Sequence, residues 1–211
     1  MKFVIGCAVA SLAMAVSSAQ ADLVNGDFSA GADNWTQYGG SEGPYGVPFF
    51  GGSSAVVAYG SFSGTPNYSG YTQDIGGVGD YSEGDTINFG GQMYIEDGKN
   101  LFGGNNASIQ LTFWYGDGTA YGFSVAAGTL TSASNTDEVY SFNLDYVLDS
   151  GAASATRISF DFSYVQTDIP AKGVESGAAW GTNFYANIVP APGAMALLGV
   201  AGLAGRRRRQ G

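Results

Sequence analysis

Ile158-Ser159-Phe160-Asp161-Phe162-Ser163-Tyr164 alternates apolar and polar residues without a break. Side chains of an extended chain project to opposite sides with a period of two. Ile158, Phe160, Phe162 and Tyr164 therefore share one face, and Ser159, Asp161 and Ser163 share the other. A helix would scatter the same four apolar residues around its axis. The stretch predicts a β-strand with one face in a core and one face in water, which makes Asp161 a solvated carboxylate.

The pattern recurs outward from this segment. Tyr140 to Tyr146 sets Tyr140, Phe142, Leu144 and Tyr146 against Ser141, Asn143 and Asp145, and Ser108 to Tyr115 sets Ile109, Leu111 and Phe113 against Gln110, Thr112 and Trp114. Further strands are expected at Ala55 to Tyr59, Tyr71 to Ile75, Thr86 to Tyr94, Ala120 to Val125 and Asn183 to Val189. Strands with one apolar and one polar face belong to antiparallel sheets, and two such sheets must meet face to face. Asp97-Gly98, Gly103-Gly104-Asn105-Asn106 and Asp117-Gly118 read as hairpin turns between them. The fold expected is all-β: a single antiparallel β-sandwich of eight or nine strands, jelly-roll-like, over residues 22–188. The 34 glycines follow no period of three, so a collagen-like chain is excluded, and no fixed internal repeat suggests a solenoid or propeller.

Charge is unevenly placed. Of eight basic residues, Lys2 and Arg206 to Arg209 lie at the ends, leaving Lys99, Arg157 and Lys172 between them. All 18 acidic residues lie between Asp22 and Glu175, so that region carries a net charge of −15. Nucleic acid and anionic lipid both require a basic footprint and are poor partners for such a surface.

The two ends read as addresses. Met1-Lys2 is a small positive n-region, Phe3 to Val16 an apolar core, and Ala19-Gln20-Ala21 a small-x-small cleavage site. This is a helical signal peptide over 1–21 whose removal by signal peptidase starts the mature chain at Asp22. Val4-Ile5-Gly6-Cys7 looks like a lipoprotein box but precedes most of the apolar core. Cys7, the single cysteine, leaves with the signal, so the mature domain has neither disulfide nor thiol chemistry. At the other end Pro190-Ala191-Pro192-Gly193 leads into a short apolar helix, Gly193 to Gly205, closed by Arg206, Arg207, Arg208 and Arg209. Thirteen residues fall short of the roughly 20 that span a bilayer, and the arginines hold the end on the cytoplasmic side. Residues 189–211 resemble the sorting signal of the PEP-CTERM family, bacterial surface proteins processed by membrane exosortases. Ala191 stands where the family's motif has glutamate. The resemblance implies a protein exported to the cell surface or extracellular matrix, held in the inner membrane only until an exosortase-type enzyme processes it.

A second resemblance lies at the ends of the sandwich. Leu23-Val24-Asn25-Gly26-Asp27-Phe28 with Trp35 looks like the opening of galactose-binding-like and carbohydrate-binding jelly rolls, and Asn183 to Val189 like their last strand. It implies that Asn25, Asp27 and Asn187 lie near a structural calcium. The chain departs from the pattern at Ser29 and Ala186, where those families commonly carry acids.

Catalytic chemistry has little to draw on. Without histidine there is no Ser-His-Asp or Cys-His arrangement and no histidine-bound zinc, and the glycine-rich stretches lack the Gly-Lys-Ser/Thr of a phosphate loop. Asp145 and Asp161 form a conceivable glycosidase pair, but alternation turns both to solvent. The acidic stretches 96–100 and 145–149 lack EF-hand spacing. Aromatics are the richer signal. Trp35, Tyr38, Tyr45, Phe49 and Phe50 crowd a loop-like stretch, 31–52, and Trp114 alternates onto a polar face. Trp35, Tyr38, Tyr45 and Trp114 are the candidate glycan contacts, with Asn34 and Gln37 at the rim, although Trp35 reads better as a plug in one end of the sandwich. The expected function is a structural or adhesive surface protein with no enzymatic activity and no cofactor beyond that calcium. The alternative is a non-catalytic carbohydrate-binding module partnered by extracellular polysaccharide, and the third reading a polysaccharide-active enzyme.

Overall fold

The computed structural model describes residues 23–60, 66–169 and 177–192. The expected signal peptide with its cleavage site at Ala19, Ala21 and Asp22, and the expected sorting segment from Gly193 through Arg206 to Arg209, lie outside the described residues, as do the helices expected in both. Among the described residues no helix is long and apolar enough to cross a membrane.

In chain order the strands are β1 (Thr36–Tyr38), β2 (Ser41–Gly46), β3 (Ser54–Tyr59), β4 (Asn67–Gly77), β5 (Thr86–Tyr94), β6 (Asn106–Tyr115), β7 (Ala120–Leu130), β8 (Val139–Val147), β9 (Arg157–Gln166) and β10 (Ala178–Val189). One helical turn, α1 (Ser150–Ala153), is capped by Asp149, whose carboxylate accepts from the Ala152 amide at 2.7 Å. Two five-stranded antiparallel sheets form a β-sandwich, ordered β1-β4-β9-β6-β7 and β2-β3-β10-β5-β8. All eight strands expected from alternation are present.

The core lies between the sheets. Ile158, Phe160, Phe162 and Tyr164 of β9 are fully buried, as alternation requires. Phe160 packs on Trp35 and Phe184, Phe162 on Phe184, and the rings of Phe28, Trp35 and Phe184 lie 5.1 to 5.8 Å apart. A bulge between Thr182 and Tyr185, with Asn183 at φ 51°, lets β10 turn Phe184 inward. Each large aromatic removed from water contributes about 1.5–3 kcal/mol.

Three expectations are corrected. Residues 31–52 are not one loop, since they contain β1 and β2. Both strands are short and rich in glycine and polar residues, so they give no alternation to read. Asp97-Gly98 and Gly103 to Asn106 are not hairpin turns: β5 and β6 lie in different sheets, and residues 95–105 carry the chain across. Of the three expected turns, Asp117-Gly118 alone closes a hairpin, between β6 and β7, with Asp117 accepting from the Thr119 amide at 3.1 Å. The outward face of β9 is not solvated, as Ser159, Asp161 and Ser163 are all buried. β9 is the middle strand of its sheet, and side chains from the strands beside it close over it.

Candidate functional site

The outer face of the β1-β4-β9-β6-β7 sheet forms an open trough of about 800 Å³. Its floor is the polar half of the alternating strands: Asp161 and Ser163 from β9, Ser108, Gln110 and Thr112 from β6, and Thr72 from β4, with Ser159 of β9 buried beneath it. These groups are knitted across strands. Ser108 and Ser163 hydroxyls lie 3.1 Å apart, Thr112 and Ser124 hydroxyls 3.1 Å apart, and Ser108 donates to Gln110 at 3.1 Å. Polar groups with this little water must be hydrogen-bonded, and the cross-strand register supplies the partners.

Aromatic rings wall the trough. Tyr68 on β4 is 60% exposed and Tyr121 on β7 64%. They stand three strands apart, about 14 Å, at opposite ends of a floor that runs about 26 Å from Arg157 to Val165. Trp114 is half-buried beside Tyr121, their ring centroids 6.0 Å apart and near perpendicular. Its indole N–H donates to Ser159 Oγ at 3.0 Å, and the Arg157 guanidinium lies 4.4 Å from its ring. Tyr38 lies across β4 at Gly70, where a Cβ would come within 1.9 Å of the Phe162 carbonyl and 3.0 Å of the Tyr38 hydroxyl. Gly70 also has a φ of 148°, so glycine is needed there. Beyond Arg157 a second hollow of about 500 Å³ shares Thr36, Thr72 and Arg157 with the first and reaches Asn34 and Val24, so the trough continues.

The electrostatics centre on Asp161, 7% exposed. Burial raises its carboxyl above the usual carboxylate range, opposed by hydrogen bonds from Thr112, Thr72 and Ser159 and by the charge of Arg157. Burial, then the nearby Asp161, pushes the Tyr38 hydroxyl well up. Arg157 Nε lies 3.7 Å from Asp74 Oδ1 and is buried without a hydrogen-bond partner.

Of the four aromatic candidates, the trough brings together Tyr38 and Trp114. Trp35 lies in the core, 9% exposed, its Nε1 donating to the Asn25 carbonyl at 3.1 Å, and presents no face to a ligand. Tyr45 is 46% exposed on the other sheet, its hydroxyl donating to Glu42 at 3.1 Å and its ring 6.2 Å from Trp180. Gln37 is spent on the Ser41 carbonyl. Asp145 projects from β8 of the second sheet, where Asn88 donates to it at 2.5 Å, so it does not pair with Asp161. Of the residues suggested for calcium, Asn25 and Asp27 carry local hydrogen bonds. Asn25 closes the 25–33 loop through the Ala30 amide and the Gly31 and Asp33 carbonyls. Asp27 accepts from Ser29, and Asn187 stands exposed opposite Asn88. Among the described residues no group of three or more acidic, histidine or cysteine side chains converges. Pro190 and Ala191 follow β10 directly, and the Ala191 amide donates to Asp85 at 2.7 Å. Tyr68, Tyr121 and Arg157 were not anticipated. The readable signals were Gly122, a strand glycine that marks a bulge, and the rarity of Arg157 as a cation.

The sequence matches no known protein family and no curated protein. The fold is similar to that of the CBM22-2 xylan-binding domain of Paenibacillus barcinonensis Xyn10C. The TM-score is 0.53 at 10% identity, over 78% of this chain and 98% of that one. The CBM22-1-CBM22-2 tandem domain of the same protein gives a TM-score of 0.52 at 11% identity, over 78% and 48%. At this identity the likeness is one of fold: a two-sheet β-sandwich like that of these two structures.

Proposed function

We propose that this protein is a non-catalytic carbohydrate-binding domain that holds a polysaccharide chain along the trough of the β1-β4-β9-β6-β7 sheet. The observation that carries the reading is the composition of that face. Saccharides offer apolar ring faces and a rim of hydroxyls, and here exposed Tyr68 and Tyr121 flank a floor of Ser, Thr and Gln hydrogen-bonding groups. The Arg157 side chain lines the same trough and brings a guanidinium to its edge, the donor group best suited to charge-assisted hydrogen bonds. A structural or adhesive role without a ligand leaves this face unexplained. The separation of Asp145 from Asp161 removes the carboxylate pair on which the enzymatic reading stood.

The fold likeness makes soluble xylan the first ligand to try. Calorimetric titration of the full chain with xylan, galactan and mixed-linkage glucan is expected to give saturable binding with at least one of them. Binding that survives Tyr68→Ala combined with Tyr121→Ala would sink the trough as the site.

The termini support a place of work as well. On this reading the chain is exported, trimmed by signal peptidase to start at Asp22, and sorted by an exosortase-type enzyme to the cell surface or matrix. Intact-mass measurement of the surface form tests it: retention of Arg206 to Arg209 overturns exosortase-type processing.

A further inference from the structure

Two groups that line the trough, Trp114 and Asp161, are joined through the buried Ser159 in one directed chain. Trp114 Nε1 donates to Ser159 Oγ at 3.0 Å, and Ser159 Oγ donates to Asp161 Oδ2 at 3.0 Å. Its direction is fixed by chemistry. An indole nitrogen only donates, an ionised carboxylate only accepts, and the hydroxyl between them must therefore do both. With its hydrogen committed to Asp161, Ser159 turns a lone pair to the indole. The chain crosses from β6 to β9, and its far end is the ring that flanks the trough.

We infer that Asp161 is a positioning residue for saccharide binding: its carboxylate, acting through Ser159, orients the Trp114 ring, and taking up a proton from solvent releases it. The inference rests on the carbohydrate reading of the trough. Once protonated, Asp161 carries its own hydrogen and no longer compels the Ser159 hydroxyl to point at it, so the indole loses an assured acceptor. Affinity is then full above the titration of Asp161 and falls as the pH drops through it. Burial raises that titration above the range of an exposed aspartate. The groups around it are few. β1 contributes Tyr38, β4 Thr72 and, opposite Ser159, Asp74, and β9 itself Arg157; β6 contributes Gln110 and Thr112, which do not titrate, and β7 brings Tyr121 at the far side of Trp114. Asp74 already lies against Arg157, which leaves Asp161 as the acid whose state reaches the indole.

The test follows the indole N–H resonance of Trp114 in the ¹⁵N-labelled full chain, assigned by its loss in Trp114→Phe, alongside xylan affinity over the same pH range. In the unaltered chain the resonance should shift with a single titration, and affinity should drop about tenfold through it, the scale of one charge-assisted hydrogen bond. Asp161→Asn keeps the shape and one acceptor but no charge. It should freeze the resonance and leave affinity low and independent of pH. Ser159→Ala should do the same, with the Asp161 carboxyl intact. A resonance that ignores pH, or a Ser159→Ala chain with unchanged affinity and pH profile, overturns the inference. A resonance that titrates in the unaltered chain and not in Asp161→Asn, in a protein that binds no saccharide, upholds the relay and sinks the carbohydrate reading.

Discussion

The guanidinium of Arg157 lies 4.4 Å from the ring of Trp114, its partner in register across β9 and β6. It also lies 3.7 Å from Asp74 on β4. One cation thus braces an aromatic wall and ties it to the strand beyond. Such a contact contributes about 0.5–1 kcal/mol at an exposed site and about 2 when water is kept away. Arg157→Ala is expected to weaken saccharide binding about tenfold while the melting temperature moves little. Arg157→Lys should recover only part of the loss, because an ammonium lacks the flat face and fork of the guanidinium. Calorimetry on the two variants checks this, and equal behaviour of Lys and Arg contradicts it.

Tyr68 and Tyr121 stand largely in water at the two ends of the floor, so they contribute little to the core. Each Tyr→Ala change should cost at most about 0.5 kcal/mol of stability. Each should still lower saccharide affinity about tenfold, because truncating an aromatic ring on which a sugar stacks removes about 1–2 kcal/mol. A large fall in melting temperature with binding intact would assign these rings to the fold instead.

The contrast between what alternation revealed and what it hid has a physical cause. A period of two says which residues share a face, and Phe160 and Phe162 followed it into the core. It does not say whether the other face meets water, because that depends on the curvature of the sheet and on neighbours distant in sequence. Asp161 was therefore read as solvated when rings and hydroxyls from β1, β4 and β6 enclose it. Tyr121 escaped for a related reason. The register shift between Phe113 and Trp114 moves it to the face of Trp114, while Phe123, two residues on, stacks 4.5 Å from Phe113 in the core. A bulge breaks the period locally, and Gly122 was its one visible sign. The short strands β1 and β2 hold Tyr38 and Tyr45 in separate sheets, a separation that closeness in sequence concealed.

Trp35 and Tyr45, grouped by sequence, should separate on mutation. Trp35 packs against Phe28, Phe160 and Phe184 and donates its N–H to a backbone carbonyl. Trp35→Ala leaves a cavity and an unmet acceptor and should cost about 3–5 kcal/mol. Tyr45 is exposed on the opposite sheet, so Tyr45→Ala should leave trough binding unchanged. Chemical denaturation and titration of both variants decide it, and loss of binding in Tyr45→Ala would move the site to the other sheet.

Neighbours on β9 should respond with opposite signs. Phe160→Asp puts an unpaired charge between the sheets and should abolish folding. Asp161→Asn removes a charge that burial already penalises. A carboxyl titrating higher in the folded than in the unfolded chain binds more protons when folded, so its contribution to stability declines as the pH rises through that window. At neutral pH the asparagine should therefore raise the melting temperature while weakening saccharide binding. Stability and binding falling together in Asp161→Asn would show the carboxylate to be a structural support and nothing more.

Alkaline pH should unfold the domain through its buried tyrosines. Burial pushes the Tyr71 hydroxyl up to about 12, and those of Tyr38 and Tyr81 higher still. Tyr81 also donates to the Ile75 carbonyl at 2.5 Å. In the unfolded chain a tyrosine titrates near 10. Below that value both states are protonated and the stabilisation is fully present. Above it the unfolded chain loses protons that the folded one keeps, so stability falls with rising pH until the folded groups ionise. Three such groups acting together should bring cooperative unfolding between about pH 10 and 12, with tyrosinate absorbance and loss of strand circular dichroism moving in one step. Tyr81→Phe gives up one hydrogen bond, costing about 1 kcal/mol at neutral pH. The phenylalanine cannot ionise, so its transition should be less steep in pH. A chain that keeps its strand signal beyond pH 12, or tyrosines that titrate in full before it is lost, would mean that these hydroxyls reach water in the native fold.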